Sequence, residues 1–102
     1  MSEPLRLFAL PGAEALGGGI ADALGRALDP LEWRDFEDGE HKARPLTDVR
    51  GADVHVVAGL HGGPEASPND RLCGLLFFLA TLRDHGAARV TAVVPYLAYA
   101  RK

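Results

Sequence analysis

Val54-His55-Val56-Val57-Ala58-Gly59 and Val90-Thr91-Ala92-Val93-Val94 decide how this chain folds. Both runs are short, apolar and rich in β-branched residues, which is the composition of buried strands. Arg50-Gly51 introduces the first, and Pro95 bounds the second. After the first comes a long polar loop, His61 to Asp70, with two glycines and two prolines. A helical pattern follows, capped by Ser67 or Asn69, running to about His85 and stopped by Gly86. A helix between two short apolar strands predicts parallel pairing, because parallel neighbours need a long crossover, usually helical.

Toward the amino terminus the same grammar recurs. Leu5-Arg6-Leu7-Phe8-Ala9-Leu10 reads as a mostly buried strand ended by Pro11-Gly12. Ala13 to Leu28 reads as a helix with Leu16, Ile20, Leu24 and Leu28 on one face. Gly17, Gly18 and Gly19 weaken it, so packing must compensate. Asp29-Pro30 stops it. Leu31 to Phe36 alternates weakly and suggests a second strand, Asp38-Gly39 is a strong turn signal, and Glu40 to Leu46 reads as an exposed returning arm. The predicted fold is α/β: a mostly parallel sheet with flanking helices and a protruding hairpin arm.

The second helix carries a further message. Leu72, Leu75, Leu76, Leu79 and Leu82 are assigned to one face, with Phe77, Phe78 and Ala80 on the opposite side. A helix apolar nearly all round is buried nearly all round. The sheet covers one side, so a second domain or subunit is expected on the other; the alternative is that the aromatic side chains fold back onto the core.

Composition sets limits on function. Apolar residues form 47% of the 102-residue chain and charged residues 25%, which suits one soluble domain with a core. The formal net charge is -3 with no long run of either sign, which lends no support to nucleic-acid or membrane-surface binding. Cys73 is a lone cysteine, so a reducing, cytoplasmic setting is expected. No secretory signal opens the chain. The longest apolar stretch, Leu75 to Ala80, is far too short to span a bilayer.

Weighed for chemistry, most features read as structural. The glycine clusters lack the Lys-Ser or Lys-Thr of a phosphate loop and the dinucleotide spacing. His41, His55, His61 and His85 make no ligand set, so no metal site is expected within the chain. Cys73 lies in the apolar helix as a small core residue. Two segments stand out. Phe36-Glu37-Asp38-Gly39-Glu40 places a ring and carboxylates on a turn, where they can reach outward together. Pro95-Tyr96-Leu97-Ala98-Tyr99-Ala100-Arg101-Lys102 leaves the carboxyl end of a core strand, the edge where open parallel sheets bind ligands. Arg101 and Lys102 suit phosphate oxygens there.

Together these segments resemble the ribose-phosphate pyrophosphokinase (phosphoribosyl pyrophosphate synthetase) family. The resemblance rests on Phe36-Glu37-Asp38-Gly39-Glu40, Val49-Arg50-Gly51-Ala52-Asp53-Val54, Pro68-Asn69-Asp70-Arg71-Leu72 and the run from Val90 to Arg101, in that order. It implies a phosphoribosyltransferase-like fold in two similar domains, of which residues 1–102 are the amino-terminal one and the second is absent. It implies a transferase of nucleotide biosynthesis that moves pyrophosphate from ATP to ribose 5-phosphate with Mg2+, in a homo-oligomer whose arm reaches a neighbour's ATP site. By the resemblance Phe36 stacks on adenine, Asp38 and Glu40 contact its polar edge, and Arg101 contacts the phosphates. Lys102, where the family usually has glutamine, keeps a cation but offers no acceptor. Arg50 falls in a block that in some members lies near an effector site. The family's catalytic lysine-arginine loop, magnesium-ligating histidine and sugar-phosphate loop lie further on, so this polypeptide alone is expected to be inactive, with no catalytic residue and no metal ligand of its own. The alternatives are a non-catalytic regulatory module and a plain oligomerisation domain.

Overall fold

A computed structural model describes residues 4–35, 41–59 and 68–94. Its elements are β1 (Leu5–Ala9), α1 (Glu14–Ala23), β2 (Leu31–Asp35), β3 (His41–Pro45), β4 (Asp53–Val57), α2 (Pro68–Asp84) and β5 (Arg89–Val93). β1, β4 and β5 form a parallel sheet in the order β1-β4-β5, and β2 and β3 form a separate antiparallel pair. The register aligns Leu5 with Asp53 and Asp53 with Arg89, so the three strands start and end together. The expected α/β fold, parallel sheet and hairpin are all present.

The period of two along β4 explains the layering. Val54 and Val56 are fully buried on one face and join Phe8, Leu75, Phe78 and Leu82 beneath α2. Val57 faces the other way and packs with Leu7, Ala13 and Ala21 beneath α1. The sheet is thus sandwiched, with the larger core on the α2 side. An aromatic chain ties that side together. Phe8 meets Phe78 edge-on at 5.5 Å between ring centroids, and Phe78 meets Trp33 at 6.5 Å. Trp33 brings the β2–β3 ribbon into the same core, with Leu31 and Ala43 beside it.

Four expectations need correction. α1 ends at Ala23 rather than Leu28, because Gly25 takes a positive φ of 70° and terminates it. Its buried face is Gly17 and Ala21, whereas Leu16 and Leu24 are exposed. In α2, Phe78 is buried and Leu76 exposed, the reverse of their assigned faces: the buried spacing is Leu75, Phe78, Leu82. The Phe77 side chain does point outward, at 64% exposure, so only one of the two rings folds back. Lastly, the loop expected to reach Asp70 stops earlier, since Pro68 is already helical; proline fits the first helical position, where its missing N–H is not needed.

Candidate functional site

Parallel register fixes where chemistry can gather. All three strands of the sheet point their carboxyl ends the same way, and both helices begin at that edge. Pro11-Gly12 leaves β1 there, Ala58-Gly59 leaves β4, and Val94 leaves β5. Leu10 N–H donates to the Val57 carbonyl at 3.0 Å and Ala58 N–H to the Val93 carbonyl at 3.0 Å, so the edge stays laced past the strands.

One cation at this edge carries no role in the sequence pattern. Arg71 lies in the first turn of α2, half-buried, and its Nη1 donates to the Pro11 carbonyl at 3.2 Å. A Cβ at residue 12 would stand 2.7 Å from that Nη1, so glycine is what lets the guanidinium lie over the turn. Arg71 Nε is shielded from solvent and finds no hydrogen-bond partner among the described residues. The signal available in the sequence was its place at the start of the helix that follows a core strand. On the neighbouring turn Gly12 N–H donates to Glu14 Oε1 at 2.7 Å, closing the entry to α1. A cation beside two helix amino termini favours anions.

Arg50 lies at the opposite end of β4, on the turn that enters it. Its backbone N–H and Nε donate to Asp48 Oδ1 at 3.0 and 3.2 Å, and its Nη2 to Oδ2 at 3.1 Å. The Arg50 side chain and backbone hold the Asp48 carboxyl down at about 2, and Asp48 in turn raises Arg50. The Arg50 side chain remains 80% exposed. Phe36, Asp38, Glu40, Arg101 and Lys102 lie outside the described residues. What is described of the hairpin is its base: Trp33 pairs with Ala43 and Glu32 with Arg44, whose Nε and the Glu32 Oε1 are 2.7 Å apart. The sequence 36–40 therefore joins two strands in antiparallel register, as a hairpin arm requires.

Among the described residues no group of three or more histidine, cysteine, aspartate or glutamate side chains could hold a metal ion. His55 Nε2 approaches Asp53 Oδ1 at 3.4 Å on the α1 face, a surface pair without a third donor. No helix among them is long and apolar enough to cross a membrane. Cys73, expected in the core, is exposed.

Comparison with known proteins agrees with this architecture. Residues 5–102 match the family described as the N-terminal domain of ribose phosphate pyrophosphokinase. A ribose-phosphate pyrophosphokinase of Gloeobacter violaceus is 39% identical over 100 residues, covering 97% of this chain and 29% of the relative. One from Shewanella oneidensis is 37% identical over 98 residues, covering 96% of this chain and 30% of the relative. The crystal structure of phosphoribosylpyrophosphate synthetase from Mycobacterium smegmatis superposes with a TM-score of 0.87 at 33% identity, over 97% of this chain and 32% of that one. The chain thus spans less than a third of the length of these relatives. With a parallel α/β sheet and a match over nearly all of its length, the chain belongs to the ribose-phosphate pyrophosphokinase family, as its amino-terminal domain.

Proposed function

We propose that this chain supplies part of a nucleotide site to an enzyme that transfers pyrophosphate from ATP to ribose 5-phosphate, yielding phosphoribosyl pyrophosphate. The observation that carries the reading is the ribbon β2–β3, which is joined by Phe36-Glu37-Asp38-Gly39-Glu40 and belongs to a domain matching the family over residues 5–102. In this reading Phe36 stacks on the adenine and Asp38 and Glu40 meet its polar edge. Arg101 and Lys102, which follow β5, meet the phosphates, and Arg71 adds positive charge at the same sheet edge. Mg2+ supplies charge neutralisation on the phosphates, with ligands expected outside this chain. Arg50, at the far end of β4, is assigned to an effector site.

The arm serves a neighbouring subunit of a cytoplasmic homo-oligomer. The exposed Leu76 and Phe77 on α2 support assembly, because apolar side chains of that size gain from being covered. Turnover needs the basic and metal-binding groups of the family's remaining sequence, so the 102-residue polypeptide binds nucleotide without catalysing transfer.

Calorimetric titration with magnesium–ATP tests this. The chain is expected to bind, and Phe36→Ala to weaken binding by roughly 5- to 150-fold, the equivalent of one aromatic–base stack of about 1–3 kcal/mol. Unchanged affinity in that variant, or rapid pyrophosphate transfer by the chain alone, would refute the assignment.

A further inference from the structure

The two edges of the parallel sheet are finished differently. β1 is guarded: Asp29 bonds both backbone groups of Leu7, and Arg26 takes the Leu5 carbonyl. β5, at the other edge, has no such guard among the described residues. Arg89 N–H donates to the Ala52 carbonyl at 3.2 Å and Ala58 N–H to the Val93 carbonyl at 3.0 Å, so Arg89, Thr91 and Val93 turn their backbone groups toward β4. Val90 and Ala92, which alternate with them, turn theirs outward, and no described residue bonds those groups. Arg89, Thr91 and Ala92 are exposed, and Val90 and Val93 are only half-buried. Parallel sheets are ordinarily covered on both faces, and an open edge strand is a template for another strand.

α2 leaves an apolar side chain on the same side. The Trp33 indole lies 2.8 Å from where a Cβ of residue 74 would stand, and Phe78 meets Phe8 of β1, so that flank of the helix looks toward the ribbon and β1. Leu76 follows Gly74 by two residues, about 200° round the helix, which puts it on the flank toward β5. Leu72 and Leu79 share that flank and pack against the same core as Val90. Leu76 itself is 55% exposed.

We infer that β5 and Leu76 form a self-pairing surface for a second copy of this chain. A two-fold axis perpendicular to the sheet, midway between the two Thr91 residues, joins two β5 strands antiparallel. Val90 of each copy then meets Ala92 of the other, and each such pair exchanges both N–H···O bonds through the groups that point outward. Thr91 meets Thr91 at the position where cross-strand side chains come closest, and Arg89 meets Val93, so like charges are not opposed. The sheet continues across the axis with both copies of α2 on one face, and the Leu76 flanks turn toward each other. A second copy is the occupant because the edge is complementary to itself in hydrogen bonds, side chains and charge.

The inference names a surface for the homo-oligomer proposed above and rests on that reading; the nucleotide site does not enter it. The experiment follows the 102-residue chain by sedimentation over a wide concentration range, with amide exchange read residue by residue. A dimer is expected, with protection at Val90 and Ala92 that grows with concentration. Ala92→Pro removes an N–H that bonds nothing within the copy, so it should spare the fold while weakening the dimer by 10-fold or more. Leu76→Ser, on an exposed helix position, should also weaken it, and unchanged exchange at Val54 and Val56 of β4 checks that both variants are folded. A dimer indifferent to both variants, with Val90 and Ala92 exchanging freely, overturns this surface and leaves the homo-oligomer reading standing. A chain that stays monomeric at every concentration overturns both and leaves the β5 edge to a strand of another sequence.

Discussion

Asp48 and Arg50 lie two residues apart on an exposed turn, and their exchange of hydrogen bonds is the one strong electrostatic perturbation resolved among the described residues. The cause is chiefly the Arg50 side chain and next its backbone N–H, both donating to the carboxylate. The folded value, about 2, lies below the ordinary 3.8. Whatever the pair contributes to stability is therefore complete above the ordinary value and is lost as the pH falls through about 2. Both side chains are well exposed, so that contribution is small and screened by salt. Following the Asp48 carboxyl by NMR should give a midpoint near 2, returning toward 3.8 in Arg50→Ala; an ordinary midpoint in the wild type would mean the turn does not hold in solution. Residue-scale reading also explains the misjudged face of α1. Leu16, Ile20, Leu24 and Leu28 draw the eye to a four-residue spacing, but Ala13, Gly17 and Ala21 share that spacing and are the ones buried. A Cβ at Gly17 would stand 2.6 Å from the Ala9 Cβ, so the helix approaches β1 on its small residues. Hydropathy weighs side-chain size and misses a face selected for closeness.

At the scale of elements, both helices end by the same device. After α1, Arg26 N–H donates to the Ala21 carbonyl at 3.0 Å and Gly25 N–H to that of Asp22 at 3.1 Å. After α2, Ala87 N–H donates to the Leu82 carbonyl at 3.2 Å and Gly86 N–H to that of Arg83 at 3.0 Å. Each is a pair of nested bonds around a glycine with positive φ, 70° at Gly25 and 91° at Gly86. Gly86 was legible as a stop because the periodic pattern ran out there. Gly25 was not, because Leu28 seemed to continue the stripe; Leu28 in fact packs back beside Gly17 from the loop. The two caps should respond differently to alanine. At Gly25 a Cβ meets nothing within 4 Å, so Gly25→Ala should lose about 1–2 kcal/mol from left-handed backbone strain alone. At Gly86 the Cβ would also stand 3.2 Å from Arg50 Cγ, so Gly86→Ala should lose more than Gly25→Ala. Urea denaturation of the two variants checks the order, and equal losses would show that the Arg50 turn yields freely.

Across the whole molecule, the parallel pairing of the apolar strands was the part hydropathy could give, because helical patterns between short apolar strands imply crossovers; their order in the sheet came from the structure. How the edge of the sheet is closed could not be read, since it depends on a charged residue that looked like a helix stop. Asp29 folds back along the outer side of β1. Its N–H donates to the Leu7 carbonyl at 2.8 Å, and its Oδ2 accepts the Leu7 N–H at 2.8 Å. Arg26 Nη2 donates to the same oxygen at 2.8 Å while its Nη1 reaches the Leu5 carbonyl. Arg6 Nη1 stands 3.6 Å from Oδ1. The carboxylate is 9% exposed, so its bonds are sheltered from water and β1 offers no free ladder at Leu7 to another chain. The proposed site was legible only as blocks of sequence, because Phe36-Glu37-Asp38-Gly39-Glu40 and the run ending in Arg101 point to it by resemblance, and hydropathy assigns neither a role. Asp29→Ala would leave the Leu7 N–H without its acceptor and two guanidinium groups without their partner. Hydrogen bonds to charged groups are worth roughly 1.5–3 kcal/mol each, so a loss on the order of 2–4 kcal/mol is expected, a large part of the ~5–15 kcal/mol typical of a domain. Asp29→Asn keeps an acceptor for Leu7 and loses the ionic share, so it should fall between. Denaturation at neutral pH would measure the series, and a wild-type-like Asp29→Ala would show that β1 is held in the sheet by β4 and the two cores without this clasp.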